Sequence, residues 1–325
     1  MTTPSWLPRF PAALFAIPVG LFALGGAWRR AGAFGWSYAQ PLAELLAACA
    51  LAVLAVLLLI YLAKLLRHRK AVAAEFAHPV AGSLLALLPL SLLLCIVTFG
   101  VPGHAGWLTL TLLVLLLMGV IAIRVVGVIS TGALPAAMVT PALYVPPVGG
   151  GLVGGMALQV LGYPGWAALL FGMGLVSWGL LELRVLNRLF EGAMAEPLRP
   201  TIGLELAAPT VGTLTVATLW PQLPGELLII GLGIAAGPLV AVLARYRWWG
   251  HVPFAPGFWS FSFPAAAFAA SMVEVVRRGG WPPAVAGLAL GLASLVIAFL
   301  LVRTLLLLAQ GRLVPPPASP QAARS

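Results

Sequence analysis

Ten stretches of nearly unbroken apolar residues run through the chain, separated by short segments that hold most of its charges. They cover approximately residues 10–28, 42–66, 80–101, 107–129, 141–161, 165–186, 201–220, 226–244, 254–276 and 283–308. About 20 apolar residues in a helix cross the hydrocarbon of a bilayer. Only helices and closed barrels pair every backbone polar group in lipid. Barrel strands are about half this long and alternate in polarity. The pattern therefore predicts a single all-α integral membrane domain of ten transmembrane helices. From residue 312 to 325 the chain turns rich in Pro and Ala, with Pro315-Pro316-Pro317, and a disordered tail is expected there.

The first stretch loosely fits a secretory leader, with Arg9 before it and Ala31-Gly32-Ala33 after it. Pro18 in its middle and Trp28-Arg29-Arg30 at its end speak against cleavage. It is read as a retained span.

Composition strengthens the membrane reading. The chain is 62% hydrophobic and 8% charged, with a mean hydropathy of +1.06, against roughly a quarter charged in soluble domains. A soluble chain of this kind has too few polar groups to cover its surface. The net charge of +10 does not point to nucleic acid, because the cations sit between apolar spans. With ten spans both chain ends share one face. Fourteen Lys and Arg fall on that face and four on the other: Arg29, Arg30, Arg277 and Arg278. That asymmetry predicts cytoplasmic termini in the inner membrane of a bacterium. Trp28, Trp107, Trp166, Trp220 and Trp281 lie at span ends, as in an interfacial belt. Trp178 and Trp259 lie deeper and require partners. Cys49 and Cys95 sit in apolar runs and are read as packing residues.

Proline placement divides the spans into two kinds. Pro18, Pro89, Pro146 (with Pro147), Pro209 and Pro264 interrupt spans one, three, five, seven and nine, at spacings of 71, 57, 63 and 55 residues. Among the even spans only the eighth holds one, Pro238. A proline break frees backbone groups that lipid cannot satisfy, so it belongs against protein or a watery cavity. Five broken helices lining a central path, with five straighter helices outside, is the expected architecture. In span five, Gly150/Gly154 and Gly151/Gly155 form GxxxG pairs, which allow close helix contact or a smooth pore wall. Gly287 and Gly291 in span ten fit packing or subunit contact.

Ionisable groups at membrane depth are candidate sites. Arg124, Glu182 and Glu205 lie at similar depth, and pairing of Arg124 with either glutamate is expected, against separate snorkelling to water. The chain has no Asp and no HExxH, GxSxG, Walker A or Cys/His metal spacing. No enzyme, cofactor or metal site is expected. An apolar path without carboxylate rings, positive half-helix ends and a basic mouth all favour small anions. Glu205 is discordant; it is either neutralised by Arg124 or handles a proton.

Five segments carry a family resemblance: Phe15-Ala-Ile-Pro-Val-Gly-Leu21, Ala74-Glu-Phe-Ala-His-Pro-Val80, Thr140-Pro-Ala-Leu-Tyr-Val-Pro146, Leu198-Arg-Pro200 with Ala207-Ala-Pro209, and Phe258-Trp-Ser-Phe-Ser-Phe-Pro264. In this order they resemble the tellurite-resistance/dicarboxylate transporter family, which includes the plant guard-cell slow anion channels. The resemblance implies a homotrimer in which each subunit has its own pore, ringed by the odd helices. It also implies a pore-plugging phenylalanine in span nine. The Trp-Ser-Phe-Ser-Phe-Pro match makes this Phe263, with Phe261 as the fallback. Ala16 and Gly20 in span one are the expected packing partners. Family members often have glycine where this chain has Ala16. The implied function is a channel or channel-like permease for small anions, or else a proton-coupled carrier of C4-dicarboxylate, sulfite or tellurite-type oxyanions.

Overall fold

The computed structural model describes residues 6–314, so the expected tail from residue 315 lies outside the described residues. Among the described residues there are ten apolar helical spans: span 1 Ala12–Phe34, span 2 Ala39–Arg67, span 3 Pro79–Phe99, span 4 Ala105–Ser130, span 5 Pro141–Val160, span 6 Pro164–Arg188, span 7 Glu196–Leu219, span 8 Gly225–Ala244, span 9 Pro256–Gly279 and span 10 Pro283–Ala309. A surface helix, Arg69–Ala77, joins spans 2 and 3. The side where span 1 begins and span 10 ends is called the near face, and the opposite side the far face.

The two kinds of span separate by burial. In the odd spans 67–83% of the hydrophobic window is buried, against 17–28% in the even spans. Span 1 packs on span 3, 3 on 5, 5 on 7, 7 on 9, and 9 back on 1, which closes a ring. Each even span lies outside, in the groove between its preceding odd span and the next one around the ring. Large apolar side chains such as Leu59, Leu116, Leu180, Val240 and Leu295 cover this outer wall and are exposed, as lipid contact requires.

The prolines lie inside the odd spans, where each span changes helix type or restarts as an α-helix. Pro18, Pro89, Pro209 and Pro264 are each the third residue of an α-helix: Ala16–Ala31, Leu87–Phe99, Ala207–Leu219 and Ser262–Gly279. Spans 1, 7 and 9 enter these helices through 3-10 segments, Ala12–Phe15, Glu196–Leu206 and Pro256–Phe261. Span 5 passes through a 3-10 turn and a π segment, Val145–Gly149, that contains Pro146 and Pro147. A proline there has no N–H to give to the preceding turn, so it breaks the hydrogen-bond ladder and leaves a carbonyl free. Hydroxyls cover carbonyls at the junctions. Thr201 Oγ1 donates to Leu198 O at 2.6 Å, Thr210 Oγ1 to Leu206 O at 2.6 Å, and Ser262 Oγ to Trp259 O at 2.7 Å.

Span 1 extends to Phe34, past the predicted end near residue 28. The reason is local pairing: Arg29 and Arg30, which read as loop charges, find partners inside the bundle. The deep tryptophans also find theirs. Trp178 Nε1 donates to Glu182 at 3.1 Å and Trp259 Nε1 to Thr304 Oγ1 at 2.8 Å. Cys95 is half-buried, whereas Cys49 is exposed on span 2 and so is not the packing residue expected.

A buried ion pair fastens the near end of span 1. Lys64 is 2% exposed. Its Nζ lies 2.5 Å from Glu75 Oε2 and 2.7 Å from Phe10 O. Glu75 also accepts from the Ala12 amide at 2.7 Å and from Tyr61 Oη at 3.0 Å, capping the first turn of the span. Breaking a buried pair costs about 3–5 kcal/mol because one charge is stranded, whereas replacing both partners with apolar groups costs far less. Glu75→Met should therefore lower the melting temperature of the purified protein more than Lys64→Met/Glu75→Met does. A double variant melting below the single would refute this account of the pair.

Candidate functional site: an axial path divided at Phe263

The α bodies of the odd spans present one stripe each toward the ring axis, at helical spacing. Two axial cavities lie between these stripes. The near cavity is lined by Ala13, Ala16 and Val19 of span 1, Leu87 and Leu90 of span 3, Val148 and Leu152 of span 5, Ala208 and Val211 of span 7, and Trp259, Ser260 and Phe263 of span 9, among others. The far cavity is lined by Phe22, Ala23, Gly26, Ala27, Arg29, Arg30, Leu94, Val97, Thr98, Met156, Leu214, Phe263 and Ala270. Phe263 is the one residue common to both linings. It is 7% exposed and stands between the two spaces.

Phe261 faces elsewhere. Its ring lies 4.6 Å from that of Trp249, its backbone and ring pack over Gly203, and it lines neither cavity. Ala16 lines the near cavity. Gly20 does not. It lets span 1 approach span 9 just before Phe263: a Cβ built on Gly20 would lie 2.5 Å from Ser262 Oγ and 3.3 Å from Trp259 Cζ3. Its contribution is to seat the backbone that carries Phe263.

Several expected roles change. The five odd-span prolines, Pro18, Pro89, Pro146, Pro209 and Pro264, line neither cavity, although their helices do. Pro18, Pro89, Pro209 and Pro264 sit in the first turn of an α body and Pro146 in the π segment before one, and side chains neighbouring them face the axis. The GxxxG pairs of span 5 also turn outward. Gly150 and Gly154 face Met118 and Leu115 of span 4, and Gly151 and Gly155 face the backbone of span 6. Only Gly149 of that run borders the near cavity.

Arg124 pairs with neither Glu182 nor Glu205. It donates to Ala77 O and sits 5.1 Å from the Phe76 ring centroid, at the end of the surface helix. Glu182 accepts from Tyr144 Oη at 2.7 Å and from Trp178. Glu205 faces Arg245 at 3.5 Å, and its Oε1 is buried without a hydrogen-bond partner. Equal depth put these groups at one level, but the rotation of each span turned Arg124 away from both carboxylates.

Two charged clusters escaped the sequence reading. One is Lys64–Glu75. The other lies at the far face. Glu274, 9% exposed at its side chain, contacts Arg277 at 2.6 Å, Arg278 at 3.0 Å and Arg30 at 3.7 Å. Arg278 also donates to Ala217 O, Trp220 O and Leu223 O, clasping the carbonyl end of span 7. Arg29 donates to Thr98 O at 2.9 Å and pairs with Glu44 at 3.0 Å. Glu274 falls within a predicted span and Glu44 at the start of one; their polarity within apolar runs was the available signal. Among the described residues no carboxylate lines either cavity, whereas two arginines line the far one.

A closed ring of broken helices around two axial cavities, apolar within and basic at one mouth, defines a membrane transport protein of the channel type. The chain belongs to the voltage-dependent anion channel family, whose family model matches residues 9–308. It is similar to the tellurite resistance protein TehA homolog of Haemophilus influenzae, with 27% identity over 310 residues that cover 93% of this chain and 92% of the relative. The ten-helix fold and the family resemblance carried by the five segments agree with these matches, and the chain is an anion channel-like transporter by family.

Proposed function

We propose that the chain conducts small anions along the ring axis through a path that Phe263 holds shut. The observation that carries this reading is the position of Phe263 as the shared wall of the two cavities. Electrostatics supports the choice of ion. The α bodies of spans 1, 7 and 9 begin beside the near cavity, with the positive ends of their dipoles toward it, and the far cavity is rimmed by Arg29 and Arg30. The apolar lining offers no ligands strong enough to trap an ion, as conduction requires. The near face is the cytoplasmic one, given its excess of Lys and Arg. The setting is the inner membrane of a bacterium, and the assembly is a homotrimer with one path per subunit.

One observation favours a second reading. Glu205 lies in the span 7 segment whose Leu204 and Ala207 border the near cavity, and its Oε1 is buried and unpaired. Such a group suits a proton-coupled carrier of C4-dicarboxylate, sulfite or a tellurite-type oxyanion, the last in keeping with the relative's name. Reconstituted protein distinguishes the two. Nitrate flux in liposomes that follows voltage and ignores a pH gradient is the expected result; flux that requires the gradient, and loses that requirement in Glu205→Gln, would establish the carrier instead.

A further inference from the structure

The far cavity contains a cationic side chain that its neighbours leave largely unused. Arg30 projects from the last turns of span 1 with its side chain 25% exposed, and it lines the cavity. Its one hydrogen bond among the described residues is from Nη2 to Thr218 Oγ1 at 2.8 Å. Its Nε is buried without a hydrogen-bond partner, 3.7 Å from Glu274 Oε1. A guanidinium has five N–H donors in a planar fork, so most of this fork is free. The nearest carboxylate is already engaged: Glu274 Oε2 takes short bonds from both Arg277 and Arg278. Arg29 flanks the same space, held by Thr98 O and Glu44. Across these contacts four guanidiniums meet two carboxylates, which leaves a net positive mouth.

We propose that Arg30 is the anion-docking residue of the far vestibule, where it binds a small inorganic anion before it reaches Phe263. Arg30 supplies the recognition, Arg29 adds field, and Thr218 fixes the guanidinium plane. Glu274 acts as a tethered competitor. Its Oε1 faces Arg30 at a distance that orients the guanidinium but does not saturate it, so an incoming anion meets donors already desolvated and aimed. A planar fork suits nitrate and related oxyanions best, through paired N–H bonds. This inference rests on the axial-path reading above, and the test separates the two.

The experiment uses the full chain and nitrate. In oriented liposomes, nitrate flux is measured against nitrate concentration on each face, in both the wild-type and the Phe263→Ala background. Separately, melting of the purified protein is followed as nitrate replaces gluconate at constant ionic strength. Arg30→Gln should raise the half-saturating nitrate concentration on the far face by about tenfold, the loss expected for one charge-assisted contact, and leave the near-face value unchanged. It should also abolish nitrate-dependent stabilisation. Arg30→Lys should recover part of both effects, and Glu274→Gln should lower the far-face value. Phe263→Ala protein without flux, but with nitrate-dependent stabilisation that Arg30→Gln removes, would uphold the docking site and overturn the transport reading. Unchanged far-face saturation and unchanged stabilisation in folded Arg30→Gln protein would overturn the docking site, leaving Arg30 a structural partner of Glu274. Should Arg30→Gln fail to fold, Arg30→Lys decides by the same readouts: a weakened far-face affinity supports the site and a wild-type value opposes it.

Discussion

Phe263→Ala should raise nitrate flux in liposomes by about tenfold or more. Each tenfold step in rate corresponds to a barrier lowered by about 1.4 kcal/mol, and removing the only ring shared by the two cavities joins them into one space. The rest of the axis keeps its mostly small or aliphatic lining, with Tyr144 and Trp259 beside the near space and Phe22, Arg29 and Arg30 beside the far one. Phe263→Leu should fall between, because leucine fills part of the same volume. Truncating a buried aromatic usually costs about 3–5 kcal/mol. Here the cost should be smaller, since the ring already borders empty volume on both sides. Wild-type flux from Phe263→Ala protein that melts normally would remove Phe263 from the gating role. Phe261→Ala serves as the contrast. That ring packs on Trp249 and Gly203 away from both cavities, so its loss should reduce stability without opening the path.

A large stability effect is expected at Gly151. A Cβ there would meet Gly174 Cα at 2.6 Å, Gly174 N at 2.7 Å and Leu170 O at 2.8 Å. All three are backbone atoms of span 6, and no rotamer change can move them aside. Gly151→Val must separate spans 5 and 6 along the whole contact, at a cost of about 3 kcal/mol or more. Loss of folded protein, or a melting temperature lowered by roughly 10 °C, is the expected outcome. Gly172 in span 6 has no heavy atom within 4 Å of its built Cβ, and Gly172→Ala should melt like the parent. Equal melting of Gly151→Val and Gly172→Ala would contradict the close approach of these two spans.

Sequence patterns and structure agree where a single chain property decides the outcome. Hydropathy located the ten spans because lipid acts on each helix separately, and the proline spacing marked which five belong inside. What the patterns could not supply is the rotation of each helix about its own axis. In a soluble helix the polar face reveals rotation. In these spans both the lipid side and the protein side are apolar, so position along the membrane normal was legible and azimuth was not. Arg124 shows the consequence: depth matched it with Glu182 and Glu205, but it turns toward Phe76 and Ala77. Gly150, Gly151, Gly154 and Gly155 show it again, since their glycines serve the outer helices. Phe261 and Phe263 were separable only through the family resemblance, because the chain changes from 3-10 to α geometry between them. Arg30 and Glu274 escaped because charges at span ends read as solvated loops, whereas here they meet across spans 1 and 9.

In the proposed pore one side chain, Phe263, separates two otherwise accessible spaces. Thiol labelling tests it most directly. Ala13 borders the near cavity and Gly26 the far one, and Gly26 has open space where a Cβ would stand. With Cys49 and Cys95 replaced by alanine, Ala13→Cys and Gly26→Cys each place one thiol in one cavity. A small membrane-impermeant thiol reagent applied at the far face should modify Gly26→Cys and spare Ala13→Cys. Adding Phe263→Ala should make Ala13→Cys react from the far face as well. Reaction of Ala13→Cys from the far face with Phe263 intact, or no gain in its reaction when Phe263 is removed, would contradict the account.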